Sequence, residues 1–99
     1  MGLFSMVFGS TSSKYSKTEH ALSAQQIKIL VSQVKVKSLT DGEEDLVEST
    51  IMQRRHGDGK ISLFQIYEAL TKLKNKYKIS VADRNGLMKV FQDYFQKYN

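Results

Sequence analysis

The sequence predicts an all-α protein, with a compact four-helix domain over residues 23–99 and a flexible N-terminal arm over residues 1–22. The same local pattern occurs at four sites, each of which opens an apolar stripe. It consists of a Leu or Ile followed directly by a Ser or Thr, with a Gln, Glu or Asp three residues after that Ser or Thr. The four sites are Leu22, Ser23 and Gln26; Leu39, Thr40 and Glu43; Ile61, Ser62 and Gln65; Ile79, Ser80 and Asp83. Such a hydroxyl accepts a hydrogen bond from a free N–H of the first helical turn, and the third side chain reaches back to the N–H of the capping residue. The chain also has no proline to interrupt a helix.

The first helix is predicted over residues 24–36. Its apolar residues recur at the spacing of one helix face: Ile27, Leu30, Val31 and Val34. Leu22 precedes the cap and is placed to pack on Ile27. Residues 34–37 also alternate between Val and Lys as a short strand would, so the end of this helix is the least defined.

The second helix is predicted over residues 41–55. Its charges complement the helix dipole, with acids in the first turns and bases at the end: Asp41, Glu43, Glu44, Asp45, Arg54, Arg55 and His56. Four residues are expected to face inward: Leu46, Val47, Thr50 and Ile51. Gly57 or Gly59 ends the helix.

The third and fourth helices are predicted over residues 63–77 and 81–98. The third carries the apolar residues Phe64, Ile66, Tyr67, Leu70 and Leu73. The fourth carries the most regular stripe of the chain, Leu87, Val90, Phe91, Tyr94, Phe95 and Tyr98. Both stripes follow helical spacing, which predicts that they line one core.

Residues 1–22 are expected to lie outside this core. A short apolar cluster near the start contains Leu3, Phe4, Met6, Val7 and Phe8. Residues 9–13 have the Gly and Ser composition of a flexible spacer, and residues 14–20 are polar without a core-building period. The start is Met-Gly, but position six is Met and not the Ser or Thr typical of an N-myristoylation motif.

The segment 54–65 resembles the calcium-binding loop of EF-hand proteins, with Gly59 at loop position six, Ile61 at position eight and a predicted helix on each side. The resemblance implies cation ligands at positions one, three and twelve, where this chain has Arg54, His56 and Gln65. Only Asp58 offers a carboxylate within the loop. We therefore expect no calcium binding, and we interpret the segment as a connection between helices.

Composition limits the chemistry that the chain can perform. It has no cysteine, and its two histidines have no second ligand at metal-binding spacing. No nucleophile-elbow, phosphate-loop or dinucleotide motif occurs. We therefore expect a protein that is not an enzyme, with no catalytic residue, no metal and no cofactor. No apolar run is long enough to span a bilayer and no secretory signal is recognisable, so the expected location is intracellular, cytoplasmic or peripheral to a membrane.

The net charge of +5 is unevenly distributed. Residues 23–48 hold three lysines against five carboxylates, whereas residues 49–99 hold ten basic against four acidic side chains. This asymmetry indicates an anionic partner. Two groups of residues are expected to bind this partner. The first is the apolar arm, with Leu3, Phe4, Val7 and Phe8. The second is a basic patch that forms if helices two and three pack antiparallel, with Arg54, Arg55, Lys60, Lys74 and Lys78. A basic surface that only maintains solubility explains the charge equally well.

The leading functional prediction is a small structural or adaptor protein that binds an anionic membrane face through its basic side and apolar arm. The Met-Gly start, helical pattern and basic charge are similar in general architecture to small viral matrix domains. Two alternatives remain open. One is a nucleic-acid-binding protein, and the other is an EF-hand-like protein-interaction module that works without calcium and recognises an acidic protein partner. A homo-oligomer is possible, because a domain of this size has a limited core.

Overall fold

Four helices form the protein, as the sequence predicts. The computed structural model describes residues 15–33 and 39–97. The elements follow in the order β1 (Glu19–Ala21), α1 (Ala24–Ser32), α2 (Asp41–Arg54), β2 (Lys60–Ser62), α3 (Leu63–Asn75) and α4 (Val81–Lys97). Each helix begins at the residue that the sequence predicts. The predicted last residues of the first and fourth helices, 34–36 and 98, lie outside the described ranges.

Reciprocal hydrogen bonds fix the start of every helix. The hydroxyls of Ser23, Thr40, Ser62 and Ser80 each accept from the backbone N–H three residues on, at 3.0–3.1 Å. In return, each capping N–H donates to the side chain three residues later, at 2.8–3.0 Å. Asp83 completes this arrangement although its side chain is short. The predicted capping boxes are therefore confirmed at all four sites.

Three helices end earlier than predicted. Helix α1 ends at Ser32, with Gln33 as its C-cap. Helix α2 stops at Arg54, and Arg55 is already extended (φ −67°, ψ 147°). Helix α3 stops at Asn75, two residues early, because Tyr77 adopts a left-handed conformation with φ 61°. The N–H groups of Tyr77 and Lys78 then donate to carbonyls of the last helical turn, at 3.0 and 2.9 Å. This is a Schellman ending that usually carries Gly, so the sequence gives no signal for it.

The core lies where the four helices meet. Helix α1 packs on α2, α2 on α3, α3 on α4, and α4 returns to α1. The buried residues include most of the predicted stripes: Ile27, Leu30, Val31, Val47, Ile51, Ile66, Leu70, Leu73, Leu87, Phe91 and Phe95. Met88 is also buried, which the stripe did not predict. Leu46, Thr50, Phe64, Tyr67, Val90 and Tyr94 are only half-buried and form the edge of this core.

A two-stranded antiparallel sheet joins the chain before α1 to the loop before α3. Strand β1 pairs with β2 so that His20 lies opposite Ile61. The preceding residues also contact the helices, since the ring of Tyr15 lies 5.0 Å from that of Tyr67 and the N–H of Phe64 donates to the carbonyl of Ser16 at 3.0 Å. Residues 15 and 16, which the sequence predicts as part of the arm, therefore contact the helical domain. Residues 1–14 lie outside the described part of the chain.

Candidate functional site

The loop that resembles an EF-hand closes on itself through backbone hydrogen bonds. Gly59 has φ 82°, a value that favours glycine. The N–H of Gly59 donates to the carbonyl of His56 at 2.8 Å, and the N–H of His56 donates to the carbonyl of Lys60 at 3.0 Å. The Lys60 carbonyl stands at loop position seven, where an EF-hand loop offers a backbone oxygen to calcium. Here that oxygen accepts an N–H, so the segment is a tight turn between two helices.

Side chains of this loop hold the fold together. Nε2 of His56 lies 2.6 Å from Oε2 of Glu19 on β1. Arg54 forms an ion pair with Glu68 at 2.8 Å, and Nη1 of Arg55 donates to the carbonyl of Leu22 at 3.0 Å. The two arginines predicted to bind an anionic partner are thus engaged within the protein. Within residues 15–33 and 39–97, no group of three His, Cys, Asp or Glu side chains is placed to hold a metal ion.

The predicted basic residues occupy two separate places. Arg54 ends α2, Arg55 follows it and Lys60 opens β2, whereas Lys74 lies in the last turn of α3 and Lys78 just beyond it. The α-helical rise places the start of α3 about 16 Å from Lys74 along the axis. The structure therefore does not unite these five residues in one patch. The apolar residues Leu3, Phe4, Val7 and Phe8 lie outside the described residues.

The end of α3 and the start of α4 form a basic surface that we call the lysine turn. It comprises Lys72, Lys74, Lys76, Tyr77, Lys78 and Val81. No acidic residue occurs between Glu68 and Asp83. The ion pairs of the described residues involve Arg54, His56 and Lys89, so none of these four lysines is neutralised by a described carboxylate. Among the described residues, the lysine turn is therefore a concentrated positive surface.

Tyr77 is the most exposed large hydrophobic residue among those described. Its side chain is 94% exposed, and Val81 nearby is 50% exposed. A left-handed conformation costs a residue other than glycine roughly 1–2 kcal/mol. Because the Tyr77 ring is exposed, packing against the core does not offset this cost. The apolar spacing of Leu70 and Leu73 would place Tyr77 in the core of a longer helix, which is why sequence reasoning missed its exposure.

A cation–aromatic stack lies beside the lysine turn, on the seam between α3 and α4. The guanidinium of Arg84 lies 5.1 Å from the centre of the Tyr67 ring, and the centre of the Tyr15 ring lies 5.0 Å from the same ring. Burial, together with the neighbouring Tyr67, raises the pKa of Tyr15, and Arg84 acts in the opposite direction. Arg84 also donates to the hydroxyl of Thr71 at 3.4 Å. Sequence reasoning did not single out Arg84, because no motif surrounds it.

The middle of α2 contains a buried carboxylate. Glu48 is 9% exposed. Burial is the main cause that raises its pKa, with Asp45 and Glu44 adding to the effect and Lys28 opposing it.

Comparisons with known proteins return no relative. No family model matches the chain, and neither a curated protein nor a solved structure is significantly similar to it. Across the described ranges, no helix is long and apolar enough to cross a bilayer.

Proposed function

We propose that this protein is a small non-enzymatic adaptor that binds an anionic membrane face through the lysine turn. The observation that carries the proposal is the position of Tyr77, which is 94% exposed and held in a left-handed conformation between Lys76 and Lys78. The left-handed backbone of Tyr77 ends α3, but its ring is exposed and adds no packing to the core. This exposure suits a residue that is buried only when a partner is bound.

The chemistry of the lysine turn matches a lipid headgroup layer. A basic side chain near an anionic membrane contributes about 1 kcal/mol, and four lysines act from this surface. Tyrosine favours the membrane interface because its ring is apolar and its hydroxyl is polar. Val81, four residues further along the chain, adds exposed apolar area. The combination gives both electrostatic attraction and shallow insertion.

The predicted apolar arm supplies a second signal in this proposal. A few apolar residues bind membranes only marginally, so stable anchoring normally requires a basic surface as well. Leu3, Phe4, Val7 and Phe8 are the candidates for insertion. Lys74 and Lys78 remain in the proposed surface and are joined by Lys72 and Lys76. Arg54 and Arg55 are left out, because they already bind Glu68 and the Leu22 carbonyl.

Vesicle co-sedimentation tests the proposal. The wild-type chain should bind vesicles that contain phosphatidylserine at low salt, and binding should weaken as salt is added. The variant Lys76→Gln/Lys78→Gln should bind roughly thirtyfold more weakly, since two headgroup contacts of about 1 kcal/mol each are lost. The control variant Lys60→Gln/Lys89→Gln removes the same charge away from the lysine turn and should bind as the wild type does.

Two results would overturn the proposal. One is a wild-type chain that stays free of anionic vesicles at low salt. The other is an equal loss of binding in both double variants, which would mean that net charge acts without a defined surface. If the protein binds RNA or DNA under the same salt conditions but ignores vesicles, the nucleic-acid function replaces the membrane function.

A further inference from the structure

Arg84 has a donor pattern that its present partners satisfy poorly. Its Nε and Nη2 atoms both donate to Oδ1 of Asn85, each at 3.3 Å, and Nη1 donates to Oγ1 of Thr71 at 3.4 Å. Hydrogen bonds from a guanidinium to an anionic oxygen are normally 2.7–2.9 Å long. The observed bonds are longer and reach only neutral oxygens. The side of the guanidinium that best fits two oxygens therefore holds a single weak acceptor.

The charge of Arg84 is also unbalanced. Within the described ranges, no carboxylate oxygen lies within 4.0 Å of its guanidinium, since the ion pairs belong to Arg54, His56 and Lys89. Arg84 lies in the first turns of α4, where the helix dipole disfavours a cation. Neither ion pairing nor helix stability accounts for an arginine at this position. Stacking on Tyr67 fixes its plane and leaves its edge available.

We propose that Arg84 and Thr71 form a binding site for a phosphate group beside the lysine turn. In the bound state two phosphate oxygens take the place of the Asn85 amide oxygen on Nε and Nη2, because the planar fork of arginine matches a phosphate. The Thr71 hydroxyl is within reach of the same ligand. Lys74 lies three residues beyond Thr71 on the same side of α3 and adds positive charge. This inference rests on the proposed function, because it names the headgroup chemistry that the surface prefers.

The site should prefer a phosphate monoester to a phosphodiester. A monoester offers more oxygens without an ester substituent and a higher charge, so it can fill the arginine fork and still face Lys74. Two sources provide a phosphate with at least three unesterified oxygens: a lipid monoester such as phosphatidic acid, or free inorganic phosphate. Phosphatidylserine carries a phosphodiester, a carboxylate and an ammonium group but no phosphate monoester, which makes it the matched comparison.

Vesicles of equal surface charge separate headgroup recognition from general attraction. We expect the wild-type chain to bind vesicles that contain phosphatidic acid about tenfold more tightly than vesicles that contain phosphatidylserine, the effect of one charge-assisted fork pair. Arg84→Lys keeps the charge and loses the fork. This variant should lose the preference and still bind both kinds of vesicle through the lysine turn. Lys89→Gln, elsewhere on α4, should keep the preference.

A second measurement uses the protein without vesicles. Titration with inorganic phosphate should shift the NMR signal of the Arg84 Nε–H group, whereas chloride at equal ionic strength should not. Asn85→Ala removes the competing amide oxygen and should strengthen the phosphate response. Thermal unfolding of each variant confirms that the fold is retained, so that a lost response reports on the site.

The outcomes distinguish this inference from the proposed function. Equal wild-type binding to both charge-matched vesicles, with no phosphate-specific shift, overturns the phosphate site and leaves the membrane function intact. Absence of binding to either vesicle, with a clear phosphate shift at Arg84, supports the site, assigns free phosphate as its ligand and overturns the membrane function. If the Arg84→Lys variant still prefers phosphatidic acid to phosphatidylserine, the inference is also overturned, because another residue must then recognise the headgroup.

Discussion

Glu19 and His56 are joined across the two connecting segments of the fold, with Oε2 of Glu19 2.6 Å from Nε2 of His56. Glu19 opens β1 and His56 opens the tight turn before β2. The contact therefore adds a side-chain link next to the main-chain pairing of the strands. Gln65, which also caps α3, lies 3.2 Å from the same imidazole nitrogen. This arrangement connects the start of α3 to the segment that precedes α1.

The link between Glu19 and His56 should be measurable as a coupling energy. Both side chains are partly exposed, so we expect a coupling of about 0.2–1 kcal/mol. Denaturant unfolding of Glu19→Gln, His56→Gln and the double variant measures it directly. If the two single effects add without a coupling, the contact does not contribute to stability, and the strand pairing alone holds β1.

Glu48→Gln should stabilise the protein at neutral pH. Burial raises the pKa of Glu48 in the folded state above the ordinary value of 4.5. The folded state then binds more protons than the unfolded state between these two pKa values, so stability decreases as pH rises through the folded value. Replacing the carboxyl by an amide removes this penalty. Thermal melts should show a higher Tm for the variant at neutral pH, and the gain should fade below about pH 4.5.

Asp93→Asn is the control for this pH dependence. Asp93 is exposed and pairs with Lys89 at 3.5 Å. Its removal should change stability little at any pH, because exposed ion pairs contribute about 0–1 kcal/mol. A neutral-pH Tm of Glu48→Gln at or below that of the wild type would mean that the carboxylate is better satisfied than its burial indicates.

The helix starts are predictable from the sequence because their hydrogen bonds are local. The helix ends and the first strand are not predictable in this way. A cap such as Ser62 and its partner Gln65 are three residues apart, so the signal lies within one short window. The ending at Tyr77 requires a left-handed residue, and without glycine the sequence does not mark it. Strand β1 depends on pairing between His20 and Ile61, which are distant in sequence and carry no local pattern.

The candidate surface was predictable only in part, for the same reason. The lysines around Tyr77 are visible as a charge run, from which the sequence predicts Lys74 and Lys78 as binding residues. The engagement of Arg54 by Glu68 depends on how α2 and α3 pack. The stacking of Arg84 on Tyr67 depends on how α3 and α4 pack. Contacts between helices cannot be read from the period of either helix alone.

Phe91→Ala and Tyr94→Phe should separate the core of α4 from its edge. Phe91 is fully buried, so its truncation should cost about 3–5 kcal/mol, a large share of the 5–15 kcal/mol typical of a domain. Tyr94 is half-buried, and its hydroxyl accepts a hydrogen bond from Nε2 of Gln26 at 2.6 Å. Loss of that hydroxyl should cost about 0.5–1.5 kcal/mol. Circular dichroism during denaturant unfolding measures both, and equal costs would place Phe91 at the edge instead.

Tyr77→Gly should make the protein more stable and a weaker membrane binder at the same time. Glycine adopts a positive φ without the penalty of roughly 1–2 kcal/mol that the tyrosine backbone bears, although its greater freedom in the unfolded chain offsets part of the gain. We therefore expect a net stabilisation of about 1 kcal/mol in denaturant unfolding. Tyr77→Ala is the matched variant, because it removes the ring and keeps the strained φ of 61°. Both variants should bind phosphatidylserine vesicles more weakly than the wild type, while only the glycine variant gains stability. If Tyr77→Gly lowers the free energy of unfolding, the ring stabilises the fold, and its exposure no longer argues for a binding surface.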